Sequence, residues 1–374
     1  MQNPEHFDLI VVGAGIVGLA HAYTAARRGL RVCVIERDAA CVGASIRNFG
    51  FITVTGQGAG DTWRRARRAR EVWGEVAPQA GIAAVHHGLW LTAFRHKAMA
   101  VLEAFMATEM AEGCALLGLD EAASRAPALQ LAGAQGVLYS PHEMRVESRT
   151  AIGQLTRWLA GAMGVTFRFS EAVLEVAAPK VRTARATLFA DRVAVCINTE
   201  LNGLFAERLA PHALRLCQLQ MLRVRPEPGF ALPGSVMMDL SLARYHGYSQ
   251  LPAAAALRTQ LEAEEGESLA HGIHLIVVQS ADGSLVVGDS HHYGPVLEPF
   301  ADQRVDELIL RHLRSTLKLK EAVVTERWVG TYPSSASTDC LIDRPDDATR
   351  LVLVTSGTGA STAFGIAEEV FASW

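Results

Sequence analysis

Residues 9 to 18 read Leu-Ile-Val-Val-Gly-Ala-Gly-Ile-Val-Gly, and eighteen residues after the last of these glycines Glu36 closes a second apolar run, Arg31-Val-Cys-Val-Ile35. A continuous apolar run such as Leu9 to Val12 suits a strand buried on both faces of a parallel sheet, and Gly13 allows the tight turn out of it. Gly15, without a side chain, lets backbone approach a pyrophosphate, and Gly18 lets the next helix, about Ile16 to Arg28, lie against the strand. The N-terminus of that helix supplies unpaired N–H groups to the phosphates, which makes Ala14, Ile16 and Val17 candidate cofactor contacts. Glu36 is placed to accept hydrogen bonds from ribose hydroxyls, and its charge disfavours a 2′-phosphate. Arg37 beside it weakens that exclusion a little.

A chain of 374 residues suggests two domains, and the dinucleotide unit accounts for only the first part of it. Its net charge of −4 gives no electrostatic reason to expect nucleic acid. No apolar stretch reaches the length of a membrane span, and Met1-Gln-Asn-Pro-Glu-His6 lacks a basic segment followed by an apolar one. A cytoplasmic location is therefore expected. The six cysteines are irregularly spaced, so neither a zinc site nor a disulfide framework is expected, and Cys33 and Cys196 read as core residues.

Further along, a helix is expected from Asp61 to Val76, capped by Asp61. It carries five arginines between Arg64 and Arg70, read either as a solvated face or as a positive field for an anionic substrate. Helices are also expected at His96 to Glu112, Asp120 to Ala126, Ser148 to Met163, 253 to 269 and Asp302 to Leu317. Glu171 to Val176, Arg185 to Phe189 and Arg192 to Ile197 read as short strands, the last a buried member of the dinucleotide domain. Alternating segments between 214 and 290 suit an antiparallel sheet with one wet face. Leu351 to Val354, the turn Thr355-Ser-Gly-Thr-Gly-Ala360 and a helix from Ser361 form a second strand, glycine turn and helix unit. If it returns to the first sheet, it aims a second helix N-terminus at the cofactor.

Taken together these pieces resemble the D-amino-acid oxidase superfamily of FAD-dependent amine oxidoreductases, which includes glycine oxidase and sarcosine oxidase. The matching residues are Gly13-Ala14-Gly15-Ile16-Val17-Gly18 with Glu36, Gly43-Ala-Ser45-x-Arg47-Asn48-x-Gly50, and Asp282-Gly-Ser-Leu-Val-Val-Gly288. They continue with Trp328-x-Gly330-x-Tyr332-Pro333, Asp339, and Ser356-Gly357-Thr358-Gly359, in family order over nearly the whole chain. The resemblance implies an α/β fold: a Rossmann-type FAD domain of the glutathione-reductase-like kind, with an inserted α+β substrate domain on an antiparallel sheet. The FAD domain would comprise 1–85, 141–213 and 325–374, and the substrate domain 86–140 and 214–324. It further implies that Val173 holds the adenine through its backbone, that Ser45 and Asn48 lie along flavin and phosphates, and that Gly357 to Gly359 face the pyrimidine edge. Helix N–H groups there favour the charge that a flavin gains.

The implied reaction is hydride transfer from the carbon beside an amine nitrogen to flavin N5, followed by hydrolysis of the imine. Tyr332 stands where amino-acid oxidases carry a carboxylate-binding arginine, and Ala363 where others carry lysine. Gly330 replaces a flavin-linking cysteine, so non-covalent FAD is expected, with Cys340 close enough in sequence to keep the question open. The remaining candidates for an acidic or polar head are Arg47, Arg244, Tyr245, His246, Tyr248, Gln279 and the cluster Asp289-Ser-His291-His292-Tyr293, although packing or surface roles also explain each of them. Arginine's planar fork suits phosphonate as well as carboxylate. His86 and His87 read as structural. The pattern 288–293 and the replaced arginine resemble a branch associated with aminophosphonate breakdown, which implies a small amine with a phosphonate head, with or without an N-methyl group. The alternatives are an oxidase of glycine, sarcosine or another small amino acid, an NAD-dependent dehydrogenase, and a non-catalytic flavin-binding protein. O2 or another acceptor would take the electrons.

Overall fold

The computed structural model describes residues 5–374. Two sheets organise them. In the first, His6–Val12, Val32–Ile35, Thr166–Arg168, Thr187–Val195 and Thr349–Val354 run parallel, and Cys340–Asp343 adds an antiparallel edge. Leu9, Ile10 and Val11 are fully buried, as a central strand covered on both faces requires. Leu351 to Val354 thus returns to the sheet that Leu9 to Val12 began, with Thr187–Val195 between them.

The helices Ile16–Ala26, Asp61–Gln79 and Gly359–Ala372 pack together beside this sheet. Phe364 forms their common contact, edge-on to Tyr23 at 5.6 Å and to Trp73 at 5.3 Å between ring centres. Gly365 permits this approach, since a Cβ there would fall 2.6 Å from the carbonyl oxygen of Arg65.

The second sheet is centred on Arg215–Pro226, which pairs along its whole length with Ala322–Ser334 and on its other side with Leu285–Gly288 and His292–Gly294. It continues through Ile276–Gln279, Ser235–Met238, Ala84–Ala93 and Gly136–Val146. One pair departs from the antiparallel expectation: Ser235–Met238 runs parallel to Ala84–Ala93. These two strands lie far apart in sequence, so no hairpin dictates their direction.

Several boundaries differ from those read in the sequence. The breaks expected at 140/141 and 324/325 fall inside Gly136–Val146 and Ala322–Ser334, both of which belong whole to the second sheet. Arg185 to Phe189 and Arg192 to Ile197 merge into Thr187–Val195, with Asp191 exposed at its middle and 3.2 Å from His6. The helix expected over 253–269 breaks into Ala254–Glu264 and Gly266–Ala270, at a glycine. Asp61 is the first helical residue and not the cap, which is Gly60. The arginines that follow are occupied. Arg65 and Arg68 grip Glu369 and Glu368 of the last helix, Arg67 pairs with Glu112, and Arg70 donates to the His142 carbonyl. They tie two helices together, which leaves little of the positive field considered above.

Among the described residues no helix is long and apolar enough to cross a membrane, and all six cysteines are free thiols.

Candidate active site

A cavity of about 950 Å³ lies where the two sheets meet, and both glycine turns open onto it. At the first, Gly13 has φ +102°, and a Cβ would sit 2.5 Å from the Cys196 carbonyl oxygen. A Cβ on Gly18 would sit 1.9 Å from the Gly13 carbonyl oxygen, so helix and strand touch backbone to backbone. The Ala14 N–H donates to Glu36 at 2.8 Å and the Asp38 N–H to its other oxygen at 3.1 Å. A carboxylate has about four acceptor sites, so these bonds leave capacity for hydroxyl donors. Arg37 is paired with Glu200 at 2.6 Å, which occupies the cation beside Glu36 that would suit a 2′-phosphate.

The turn after the second strand supplies the next wall. Ser45 accepts from the Ile16 N–H at 3.0 Å, which fixes its hydroxyl at the first helix N-terminus. Asn48 spans its own loop, donating to the Ala44 carbonyl at 2.8 Å and accepting from the Gly50 N–H at 2.7 Å. Arg47 is an exposed residue on the cavity rim, and its carbonyl accepts from Trp328 Nε1 at 3.0 Å. Gly330 faces that same carbonyl, 3.1 Å from where its Cβ would lie. Val173 also lines the cavity, as do Gly357, Thr358 and Gly359, the start of the last helix. Gly357 has φ +75°, and a Cβ there would be 2.9 Å from the Tyr332 ring.

On the side of the second sheet, strand register gathers a polar group. Tyr293 and Tyr332 both pair with Cys217 from opposite neighbouring strands, so the two phenols stand in one cross-strand row. Their hydroxyls lie 3.1 and 3.3 Å from one Arg244 nitrogen. Burial opposes the Arg244 charge, but the two phenols and Asp289 outweigh it and the guanidinium is held protonated. Tyr245 lines the cavity beside it and packs edge-on against His274 at 5.6 Å.

Asp289 is buried between two histidines, with His274 Nε2 at 3.0 Å and His291 Nε2 at 3.7 Å. Burial alone would raise its carboxyl; charge on His291, His274 and Arg244 lowers it, and with the histidines neutral the Arg244 guanidinium is the cation that keeps it ionised. Both histidines are lowered by burial, with Arg244 adding to the effect, so they are neutral at pH 7.

Most expected site residues meet at this cavity, and five do not line it: Ala14, Gly18, Gly50, His292 and Gln279. Gly50 serves the fold, since its Cβ would sit 1.8 Å from the Val146 carbonyl oxygen. His292 bonds to His271 at 3.0 Å, because alternation along the strand turns it away from His291. The Gln279 side chain is consumed by Phe230, Gly283 and Leu232 backbone groups, and the Gln279 backbone N–H donates to His86 Nε2. Tyr248 is buried against Phe105 and also lies off the cavity wall. Cys340 is not on that wall either, and burial raises its thiol to about 12.

His274 was missed by sequence reasoning. The signal was the hairpin register: with Ile276 opposite Gly288, the residue two positions earlier falls beside Asp289 and Ser290.

The family model described as "DAO: FAD dependent oxidoreductase" matches residues 8–373. No curated protein matches the sequence. Among solved structures, the chain is similar to glycine oxidase from Bacillus cereus, with TM-score 0.76, 15% identity, and 98% of this chain and 96% of that one covered. It is also similar to L-proline dehydrogenase from P. horikoshii, with TM-score 0.78, 17% identity, and 98% and 93% covered. Iminodiacetate oxidase from Chelativorans sp. BNC1 gives TM-score 0.70 at 19% identity, with 96% and 93% covered.

Proposed function

The chain belongs to the family of FAD-dependent oxidoreductases, and from that premise we propose that it oxidises a small amine carrying an anionic head, best an aminoalkylphosphonate such as 2-aminoethylphosphonate or its N-methyl form. The observation that carries this reading is Arg244, a half-buried cation on the cavity wall held by two tyrosine hydroxyls.

The donor set suits FAD. In this reading the first helix N-terminus, opened by Gly13 and Gly15, takes the pyrophosphate, and Glu36 takes the ribose hydroxyls. Val173 holds the adenine, Ser45 and Asn48 border the flavin, and the N–H groups at Gly357 to Gly359 face its pyrimidine edge, where they favour negative charge. With Gly330 at the usual linking position and Cys340 off the wall, the FAD is held non-covalently. Bound FAD supplies a hydride acceptor for the carbon beside the amine nitrogen.

Arg244 then fixes the head of the substrate by a planar fork, and the hydroxyls of Tyr293 and Tyr332 stand beside it for a further oxygen. A phosphonate, with three oxygens, uses more of these donors than a carboxylate does. The similar solved structures include proteins named glycine oxidase and iminodiacetate oxidase, so a small amino acid is the competing substrate. Turnover separates the two. The expected kcat/KM for 2-aminoethylphosphonate or its N-methyl form exceeds that for glycine and sarcosine by about tenfold or more, the worth of one charge-assisted hydrogen bond. Equal or reversed preference overturns the phosphonate head. Oxygen uptake during the same reaction tests whether O2 or another acceptor takes the electrons.

A further inference from the structure

The proposed reaction needs a partner for the substrate nitrogen as well as for its head, and the structure holds an unsatisfied pair of acceptors on the same wall. His291 Nδ1 lies 2.9 Å from the Gly272 carbonyl oxygen, which can only accept. The ring hydrogen of neutral His291 is therefore on Nδ1, and Nε2 carries a lone pair. That lone pair faces Asp289 Oδ2 at 3.7 Å, so two acceptors confront each other without a hydrogen between them. Asp289 Oδ1 has its own neighbour, His274 Nε2, at 3.0 Å. Gly272 makes this approach possible, since a Cβ there would lie 2.8 Å from the Cβ of His291.

Asp289, His274 and His291 are each buried, and all line the cavity that Arg244 lines. A buried carboxylate flanked by a lone pair calls for a cationic hydrogen-bond donor. Their potential donor atoms lie within 4.8 Å of one another, but the charge of Arg244 acts on all three and opposes a divalent ion. A singly charged ammonium meets the geometry better, because it brings N–H groups for both acceptors.

We propose that Asp289 Oδ2 and His291 Nε2 form the subsite for the substrate nitrogen, each accepting one N–H, with His274 positioning Asp289 from behind. The inference rests on the amine-oxidation reading above and adds to it a two-point grip: anionic head on Arg244, nitrogen on Asp289 and His291. It predicts that primary and N-methyl amines bind and that a trimethylammonium group, which has charge but no N–H, does not.

The test uses the FAD-loaded protein and ligands that cannot be oxidised, with perturbation of the flavin absorption spectrum as the binding signal. The probes are 2-amino-2-methylpropylphosphonate, which has no hydrogen on the carbon bearing nitrogen, and 2-methylpropylphosphonate, which lacks the nitrogen. α-Aminoisobutyrate and isobutyrate form the corresponding carboxylate pair. The amino member of a pair is expected to bind at least about tenfold tighter, as a charge-assisted hydrogen bond provides. In Asp289→Asn that preference falls to threefold or less while the nitrogen-free member keeps its affinity. His291→Asn gives a second measurement if the first variant loses flavin. A preference that survives in either flavin-loaded variant overturns the proposal, as does its absence from the wild type. A divalent cation that stays with the dialysed wild type and is lost from Asp289→Asn also overturns it. The parent reading fails separately, if no amine reduces the flavin.

Discussion

Replacing Gly18 with alanine tests the first glycine turn most sharply, because the contact it disturbs is between backbone atoms that no side-chain rotation can relieve. The new Cβ would lie 1.9 Å from the Gly13 carbonyl oxygen and 3.2 Å from Val11. To restore an ordinary contact, the helix Ile16–Ala26 must withdraw from the strand by roughly 1 Å or more, and overpacking of this kind costs about 1–3 kcal/mol. The same movement pulls the helix N-terminus from the pyrophosphate. If one or two charge-assisted hydrogen bonds are lost, at about 1.5–3 kcal/mol each, FAD binding weakens by about 3 kcal/mol, roughly 150-fold. Fluorescence titration of flavin-free protein with FAD measures this directly, with Gly29→Ala as control. Gly29 has positive φ, +77°, and nothing lies within 4 Å of its would-be Cβ, so its variant carries a backbone strain that Gly18→Ala lacks and none of the clash. A Gly18→Ala protein with an FAD affinity within threefold of wild type refutes the reasoning.

Three further outcomes are expected. Exchanging Arg244 for glutamine weakens binding of 2-methylpropylphosphonate by roughly 10- to 100-fold in a flavin-perturbation titration, and an unchanged affinity removes Arg244 from the head-group site. His21 is fully buried and held neutral, its value lowered by burial to about 4. The unfolded chain therefore binds its proton first, so stability is full above pH 6.5 and falls by about 3 kcal/mol as pH drops towards 4. Denaturant unfolding at several pH values should show a shallower acid slope in His21→Leu, and an identical slope contradicts this. Neutralising Arg64 and Arg67 together should leave the second-order rate of flavin reduction within about twofold at low salt, since both already pair with acids, Asp61 and Glu112. A larger, salt-dependent fall would restore the steering role.

The cofactor half of the cavity was legible because it is local. Gly13 to Gly18 belong to one strand, turn and helix unit and Gly357 to Gly359 to another, and a Cβ on Gly13, Gly18 or Gly357 would fall less than 3.0 Å from a neighbouring atom. The substrate half depends on register. Tyr293 and Tyr332 converge only because both oppose Cys217, and His274 reaches Asp289 only through the pairing of Ile276 with Gly288. Alternation along one strand separates His291 from His292, but which of them faces the cavity depends on pairing partners outside that strand. Gln279 looked available in sequence and is spent on loop carbonyls that sequence does not locate. Two of the expected domain breaks fall within strands for a related reason. A break read from the resemblance was placed inside Ala322–Ser334, a strand that carries both substrate-sheet pairing and the cavity residues Gly330 and Tyr332.

Anaerobic addition of amines to the FAD-loaded protein, followed by the flavin absorbance, tests the central claim most directly. The account predicts that 2-aminoethylphosphonate bleaches the flavin, and that ethylamine, with the same nitrogen and no anionic head, does so at least about tenfold more slowly at equal concentration. Equal rates for the two amines, or no bleaching by any amine with an anionic head, would contradict it.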